Sequence, residues 1–127
     1  MECQRCHAQT FVIHVTEDHE HLCEDCYMGT LRERQSRFAL NVAWLICFAY
    51  EEGYEITFGD AYAKTGHKIR SKHYSRLAID LNLFRDGKYL EKTEDHKPLG
   101  EFWESLDPEN VWGGMWNDGN HYQSGNG

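Results

Sequence analysis

The sequence predicts an α+β protein, in which a small antiparallel sheet with flanking helices follows a small cysteine-bearing mini-domain. Three observations lead to this prediction. Four of the 5 cysteines lie near the N-terminus in two Cys-x2-Cys pairs, a segment of helical apolar period follows, and a strictly alternating segment lies beyond it. The 127 residues have room for one ordinary domain, or for one small domain together with a mini-domain.

The composition is that of a globular protein, and it argues against two kinds of function. Hydrophobic residues make up 40% and aromatic residues 13% of the chain, which is enough for a core. Because Lys+Arg 13 against Asp+Glu 21 gives a net charge of −8, with no basic run, we expect no nucleic-acid partner. The longest apolar stretch, residues 38–50, is too short to span a bilayer, and no signal peptide is expected.

The cysteine spacing predicts a structural zinc site. Cys3-x2-Cys6 and Cys23-x2-Cys26 each place two residues between the sulfurs, so that one tight turn can present both thiolates to one ion at about 2.3 Å. In a chain without an export signal, such pairs favour a metal site over two disulfides. We therefore predict a zinc-ribbon-like mini-domain over residues 1–30, with residues 11–15 as a strand of a short hairpin. The remaining Cys47 lies among apolar residues and is expected to be buried.

The larger unit is predicted over residues 38–123, after a polar segment, 31–37, that is either a connector or the start of the next helix. Apolar side chains recur at three and four residues from Phe38 to Ala49, which predicts an amphipathic helix that ends near Gly53. Residues 54–62 have strand composition, and residues 63–72 are predicted to form a loop.

The second half of this unit begins with alternation over residues 76–84, which predicts a strand with Leu77, Ile79, Leu81 and Leu83 on one face. The pair Asp86-Gly87 is typical of a hairpin turn. A short helix over 99–106, a turn and short strand over 112–123, and a flexible tail over 124–127 complete the prediction. His96 is expected to be solvated.

Asp80 stands out because it lies at the centre of an otherwise apolar strand, where a buried carboxylate needs a partner or a metal. His73 precedes it by seven residues, and near the C-terminus His121 follows Asp118 by three. Two imidazoles and one carboxylate form a complete protein ligand set for a catalytic zinc, and a further carboxylate can act as general base and acid. The chain has 8 histidines, so spacing alone leaves open that these are two surface histidines and a satisfied buried carboxylate.

Two ordered motifs resemble those of zinc peptidases that cut peptidoglycan stem peptides. The segment Ser71-Lys-His73, followed by Asp80, resembles the Ser-x-His-x6-Asp signature of D-Ala-D-Ala carboxypeptidases and phage L-alanyl-D-glutamate endopeptidases, which share their fold with the hedgehog signalling domain. The segment Trp112-Gly-Gly-Met-Trp116-Asn-Asp118-Gly-Asn-His121 is similar to the Trp-Gly-Gly-x-Trp and Asp-x-x-His segments of the phage endopeptidase branch.

The resemblance implies a role for each matched residue. His73, Asp80 and His121 would be the catalytic zinc ligands, and Asp118 would be the general acid/base. Ser71 would help to hold the substrate, and Arg70 and Trp116 are further candidates for substrate binding; Trp116 is equally well explained by packing.

Two departures from the family pattern bear on the choice among activities. Ala63 occupies a region where many relatives carry an arginine, and either Arg70 or Arg76 is a candidate to supply that charge. No glutamate lies shortly before His121, which favours the endopeptidase branch. We therefore expect a monomeric phage endolysin, held in the cytoplasm until lysis, with stem peptide as its substrate. The alternatives are a D-Ala-D-Ala carboxypeptidase and a non-catalytic binding or regulatory protein with a peptidase-like domain.

The N-terminal segment resembles a different family. Cys3-Gln-Arg-Cys6 and Cys23-Glu-Asp-Cys26 are similar to the zinc motif at the start of bacterial protein-arginine-kinase activators. This resemblance covers about 30 residues and implies a structural zinc, not a partner or an activity.

Overall fold

The structure is a computed structural model that describes residues 1–7, 9, 13–15, 17, 19–22, 29–60, 72 and 75–125. The chain divides into two compact units, Met1–Ser36 and Arg37–Gly127. Several predicted site residues lie outside the described residues: Cys23, Cys26, Ala63, Arg70, Ser71 and His73.

The first unit contains a short antiparallel hairpin. Strands β1 (His14–Val15) and β2 (His21–Leu22) pair with His14 opposite Leu22. The backbone N–H of Gln4 donates to the carbonyl of His21 at 2.7 Å, so the segment with the first cysteine pair is bonded to β2. Cys3 is fully buried.

Helix α1 (Leu31–Glu51) begins with a capping box. The N–H of Glu33 donates to Thr30 Oγ1 at 3.1 Å, and the Glu33 carboxylate accepts from the N–H of Thr30 at 3.2 Å. Residues 31–37 are thus the start of this helix rather than a connector. The division between the two units falls within α1, after Ser36.

The buried face of α1 agrees with the predicted period. Phe38, Val42, Leu45 and Ala49 are buried, but Cys47 is exposed, so its predicted burial is wrong. At 100° per residue, position 47 lies about 200° around the helix from Leu45 and from Ala49, on the opposite face.

The described part of the second unit holds five strands in one antiparallel sheet, in the order β3-β4-β7-β6, with β5 paired to β4. A 3-10 turn, Thr93–His96, leads into helix α2 (Lys97–Leu106), and a second, Gly113–Trp116, lies between β6 and β7. The α+β prediction is therefore confirmed. The strands are β3 (Glu55–Phe58), β4 (Ala78–Arg85), β5 (Lys88–Leu90), β6 (Asn110–Trp112) and β7 (His121–Ser124).

Strand β4 has the predicted alternation. Its odd-numbered apolar residues are buried, whereas Asp80 and Asn82 are only half-buried. The turn to β5 places Asp86 at φ 52° and Gly87 at φ 77°, the two left-handed positions of a two-residue hairpin turn. Aliphatic and aromatic side chains from α1, β4, α2 and β7, and from the residues directly before β3 and β4, form the core: Phe38, Val42, Leu45, Ala49, Tyr54, Leu77, Ile79, Leu81, Leu83, Leu99, Trp103 and Tyr122.

Two further expectations about burial are wrong. His96 is 2% exposed, because its Nδ1 lies 2.9 Å from the hydroxyl of the core residue Tyr122. Ser124, expected in the flexible tail, is the buried last residue of β7, and its N–H donates to the carbonyl of Leu77 at 2.8 Å. No helix in the described part of the chain is long and apolar enough to cross a membrane.

Candidate active site

The register of β4 and β7 places Asp80 directly opposite His121. Facing residues of an antiparallel pair project to the same side of the sheet, and His121 Nδ1 lies 3.3 Å from Asp80 Oδ1. The Asp80 side chain is 20% exposed and that of His121 is 9% exposed. The backbone of Asp80 is bonded on its other edge, where its N–H donates to the carbonyl of Asp60 at 2.7 Å. The sheet therefore fixes the position of this pair.

Asp118 lies in the turn that leads into β7. Its N–H donates to the carbonyl of Gly113 at 2.9 Å, and its own carbonyl accepts from the N–H of His121 at 3.1 Å. Its Oδ2 lies 3.9 Å from His121 Nδ1, and its side chain is 49% exposed. One nitrogen of His121 thus faces two carboxylates, of which Asp118 is accessible to solvent.

The Trp-Gly-Gly motif has a steric explanation in this turn. A Cβ on Gly113 would lie 2.3 Å from the carbonyl oxygen of Asp118 and 2.9 Å from His121 Cβ. A Cβ on Gly114 would lie 2.3 Å from the Trp112 ring. Trp112 Nε1 in turn donates to the carbonyl of Gly119 at 2.7 Å. The two glycines permit the close approach, and the indole holds the turn that carries Asp118.

Gln123 is a site neighbour that the sequence analysis missed. Its Oε1 lies 2.7 Å from His121 Nε2, and its own amide nitrogen donates to the carbonyl of Gly125. The sequence could have indicated this contact, because residues two positions apart on a strand, such as His121 and Gln123, lie on the same face.

The groups around His121 favour the positively charged form of its ring. Burial lowers the pKa of His121, but the hydrogen bonds to Asp80 and Gln123 and the charges of Asp80 and Asp118 outweigh burial and raise the pKa overall. The two carboxylates therefore favour the protonated, cationic form of the His121 ring.

Trp116 forms one side of the site. Its ring centroid lies 5.8 Å from that of His121 at an interplanar angle of 61°, and the residue is 49% exposed. The structure thus brings together Asp80, Asp118, His121 and Trp116 among the residues predicted from sequence. The other predicted residues of this site, Arg70, Ser71 and His73, lie outside the described residues.

The donor groups of Asp80 and His121 fit a zinc ion. An imidazole and a carboxylate are both common zinc ligands, and the two side chains already meet at one point of the sheet. Within the residues that the structure describes, no group of three or more His, Cys, Asp or Glu is placed to hold a metal. The third predicted ligand, His73, is not among those residues.

The first predicted cysteine pair lies in a turn whose backbone approaches the Cys3 sulfur. The N–H of Cys6 points to Cys3 Sγ at 3.5 Å, a contact that stabilises a thiolate. His7, directly after the pair, has φ 64°, which turns the chain back sharply.

The imidazole of His121 and the carboxylate of Asp80, which meet at one point of the sheet, are residue types that hydrolytic zinc sites use. Residues 64–124, a little less than half of the 127-residue chain, match a family model described as D-alanyl-D-alanine carboxypeptidase. This match supports a peptidase that acts on peptidoglycan, and it includes Asp80, Asp118 and His121. A search of curated proteins finds no match to the chain.

Proposed function

We propose that the protein is a zinc metallopeptidase that hydrolyses the L-alanyl-D-glutamate bond of the peptidoglycan stem peptide and acts as a phage endolysin. The observation that carries the proposal is the approach of Asp80 and Asp118 to the same nitrogen of His121, at 3.3 and 3.9 Å. The family match over residues 64–124 supports the reaction class. The Trp-Gly-Gly-x-Trp and Asp-x-x-His motifs support the endopeptidase branch.

His73, Asp80 and His121 are the proposed zinc ligands. Zinc held by these residues would supply Lewis acidity and would make an attacking water more acidic. The sheet contributes the relative position of two of these ligands, because the backbones of Asp80 and His121 are paired in register.

Asp118 is the proposed general acid/base. Its carboxylate lies beside His121 yet is half exposed, so both water and substrate can reach it. It accepts a proton from the water as the water oxygen bonds to the scissile carbonyl carbon. It returns that proton to the amide nitrogen as the C–N bond breaks, which yields a carboxylic acid and an amine.

Substrate contacts are proposed for Trp116, Ser71 and Arg70. The support for Trp116 is its exposure directly beside His121. Ser71 and Arg70 are proposed from the sequence motif, with Arg70 supplying a positive charge that is absent at Ala63.

A second, structural zinc is proposed at Cys3, Cys6, Cys23 and Cys26. The contact between the Cys6 N–H and Cys3 Sγ supports the first half of this site. The bond from Gln4 to His21 ties that half to the strand that directly precedes Cys23. Four thiolates satisfy the tetrahedral preference of structural zinc.

Mass spectrometry of digested peptidoglycan tests the activity. Purified full-length protein with zinc is expected to produce fragments with a free D-glutamate amine, and to clear permeabilised Gram-negative cells in a turbidity assay. Chelator and the variant His121→Ala serve as controls and should abolish both signals. Release of terminal D-alanine would instead identify a carboxypeptidase. Intact stem peptides at full zinc occupancy would contradict a peptidase and support a binding protein.

A further inference from the structure

We propose that Gln123 is a positioning residue, which holds a proton on Nε2 of His121 and so presents Nδ1 as the metal-binding nitrogen. The inference rests on the proposed function, since it takes His121 as a zinc ligand. It concerns a residue outside the motifs that identified the ligands.

The orientation of the Gln123 amide is set by a backbone carbonyl. Gln123 is 6% exposed, and its side-chain nitrogen lies within hydrogen-bond distance of the carbonyl oxygen of Gly125. A carbonyl oxygen only accepts hydrogen bonds, so the NH2 end of the amide must face Gly125. The other end, Oε1, must then face His121.

This orientation determines which nitrogen of His121 is protonated. Gln123 Oε1 is an acceptor and lies 2.7 Å from His121 Nε2, so Nε2 carries the hydrogen. A neutral imidazole has one N–H, which leaves the lone pair on Nδ1. Nδ1 is the nitrogen that lies 3.3 Å from Asp80 Oδ1 and 3.9 Å from Asp118 Oδ2. The amide therefore directs the lone pair of the ring to the site.

The sheet accommodates the side chain of Gln123, and its backbone hydrogen bonds do not involve that side chain. Gln123 lies opposite Ala78 on β4, whose small side chain leaves space for the amide on that face. The backbone carbonyl of Gln123 accepts from Trp103 Nε1 at 3.1 Å, and the N–H of Gly125 donates to Glu109 at 2.7 Å. These backbone bonds remain when the side chain of Gln123 is changed, so a variant at this position is expected to fold.

The test compares zinc binding by the full-length parent with that by Gln123→Met, whose side chain has similar length but only a weak acceptor in place of the amide oxygen. The binding step that belongs to His121 is identified by its loss in His121→Ala. In a chelator competition titration, Gln123→Met is expected to weaken that step by about 10- to 100-fold, the range for residues that orient metal ligands. Asn82→Leu is the matched control, because it also replaces an amide on the strand face that carries Asp80, and Asn82 contacts Thr57 rather than His121. It should leave zinc affinity unchanged.

A second measurement directly shows which nitrogen of the His121 ring carries the proton. In a ¹⁵N–¹H correlation spectrum of the zinc-loaded parent, the His121 ring is expected to be protonated at Nε2, with slow hydrogen exchange that becomes faster in Gln123→Met. A parent ring protonated at Nδ1 would overturn the inference even if Gln123→Met did not fold. Parent-like affinity in Gln123→Met would overturn it while leaving the proposed function intact. If His121→Ala removed no binding step, the proposed function itself would fail, and the inference with it.

Discussion

Asp118 and Asp80 face the same imidazole but differ in exposure, and this difference separates their proposed roles. Asp80 is 20% exposed and held within a strand, which suits a ligand. Asp118 is 49% exposed and lies in a turn, which suits a group that exchanges protons with water and substrate. The two carboxylates can therefore be tested separately.

We expect Asp118→Asn to retain zinc but to lower turnover by about 10²- to 10⁴-fold, because an amide cannot accept and return the proton. Turnover on purified stem peptide and elemental analysis of zinc measure the two effects. The control is Asp86→Asn in the β4–β5 turn, where asparagine tolerates the left-handed backbone at φ 52°. Parent turnover in Asp118→Asn would contradict the proposed role.

The buried His96 is expected to make the free energy of unfolding depend on pH. Burial lowers its pKa, and a backbone hydrogen bond with Leu90 and the charge of Asp95 only partly oppose this. The unfolded chain therefore binds a proton at higher pH than the folded protein does. As the pH falls below about 6.5, the unfolded state gains that proton first, and the free energy of unfolding decreases.

We expect His96→Asn to reduce this loss of stability between about pH 7 and pH 5, because asparagine does not titrate. Urea unfolding followed by tryptophan fluorescence measures the slope, since all 4 tryptophans lie in the second unit. Equal slopes in the parent and His96→Asn would show that His96 does not contribute.

At the scale of elements, the segment from Trp112 to β7 explains why two consecutive glycines occur beside the site. The turn must pass within van der Waals distance of both His121 and the Trp112 ring. Local propensity alone does not require glycine here, because the constraint comes from neighbours that the fold brings into contact.

We expect Gly113→Ala to lower turnover by about 10²-fold, the cost of displacing a catalytic group by about 1 Å. The added methyl would lie 2.3 Å from the carbonyl oxygen of Asp118, so the turn must shift. Gly87→Ala is the contrasting variant. A Cβ added at position 87 would have nothing within 4 Å, but the backbone φ there is 77°. That variant should lose about 1–2 kcal/mol of stability and keep its turnover. Similar losses of turnover in both variants would contradict the steric argument.

At the scale of the whole molecule, the chain combines two small compact units, Met1–Ser36 and Arg37–Gly127. Domains of this size bury a limited fraction of their surface, and bound metal commonly supplies the missing stability. The first unit is the smaller of the two, so its folding should depend on zinc more strongly.

We expect two zinc ions per folded chain and one in Cys3→Ser, because loss of one thiolate weakens the four-cysteine site. Chelation should unfold the first unit, whereas the second should lose activity before it loses helix. Elemental analysis and far-UV circular dichroism measure these outcomes. Fewer than two zinc ions in the fully folded parent would contradict the two-site proposal.

Local patterns predicted several elements correctly. The alternation from Leu77 to Leu83 predicted β4, and the Asp-Gly pair predicted the β4–β5 turn. These features depend on residues close in sequence. The burial of His96 and of Ser124 was not predicted, because it depends on Tyr122 and Leu77, which are distant in sequence. The exposure of Cys47 was also predicted wrongly, although the helical period of α1 itself places it opposite Leu45 and Ala49.

The sequence by itself determined the α+β class, the amphipathic face of α1 and the residue types available for zinc binding, because helical and strand periods and ligand chemistry are local properties. Only the tertiary structure decided that Asp80 and His121, 41 positions apart, lie opposite each other, since strand register depends on the packing of the whole sheet. The shared face of His121 and Gln123 is a local property, because the two residues are two positions apart on β7. Only the tertiary structure shows which end of the Gln123 amide faces His121, because the carbonyl of Gly125 sets the orientation of that amide.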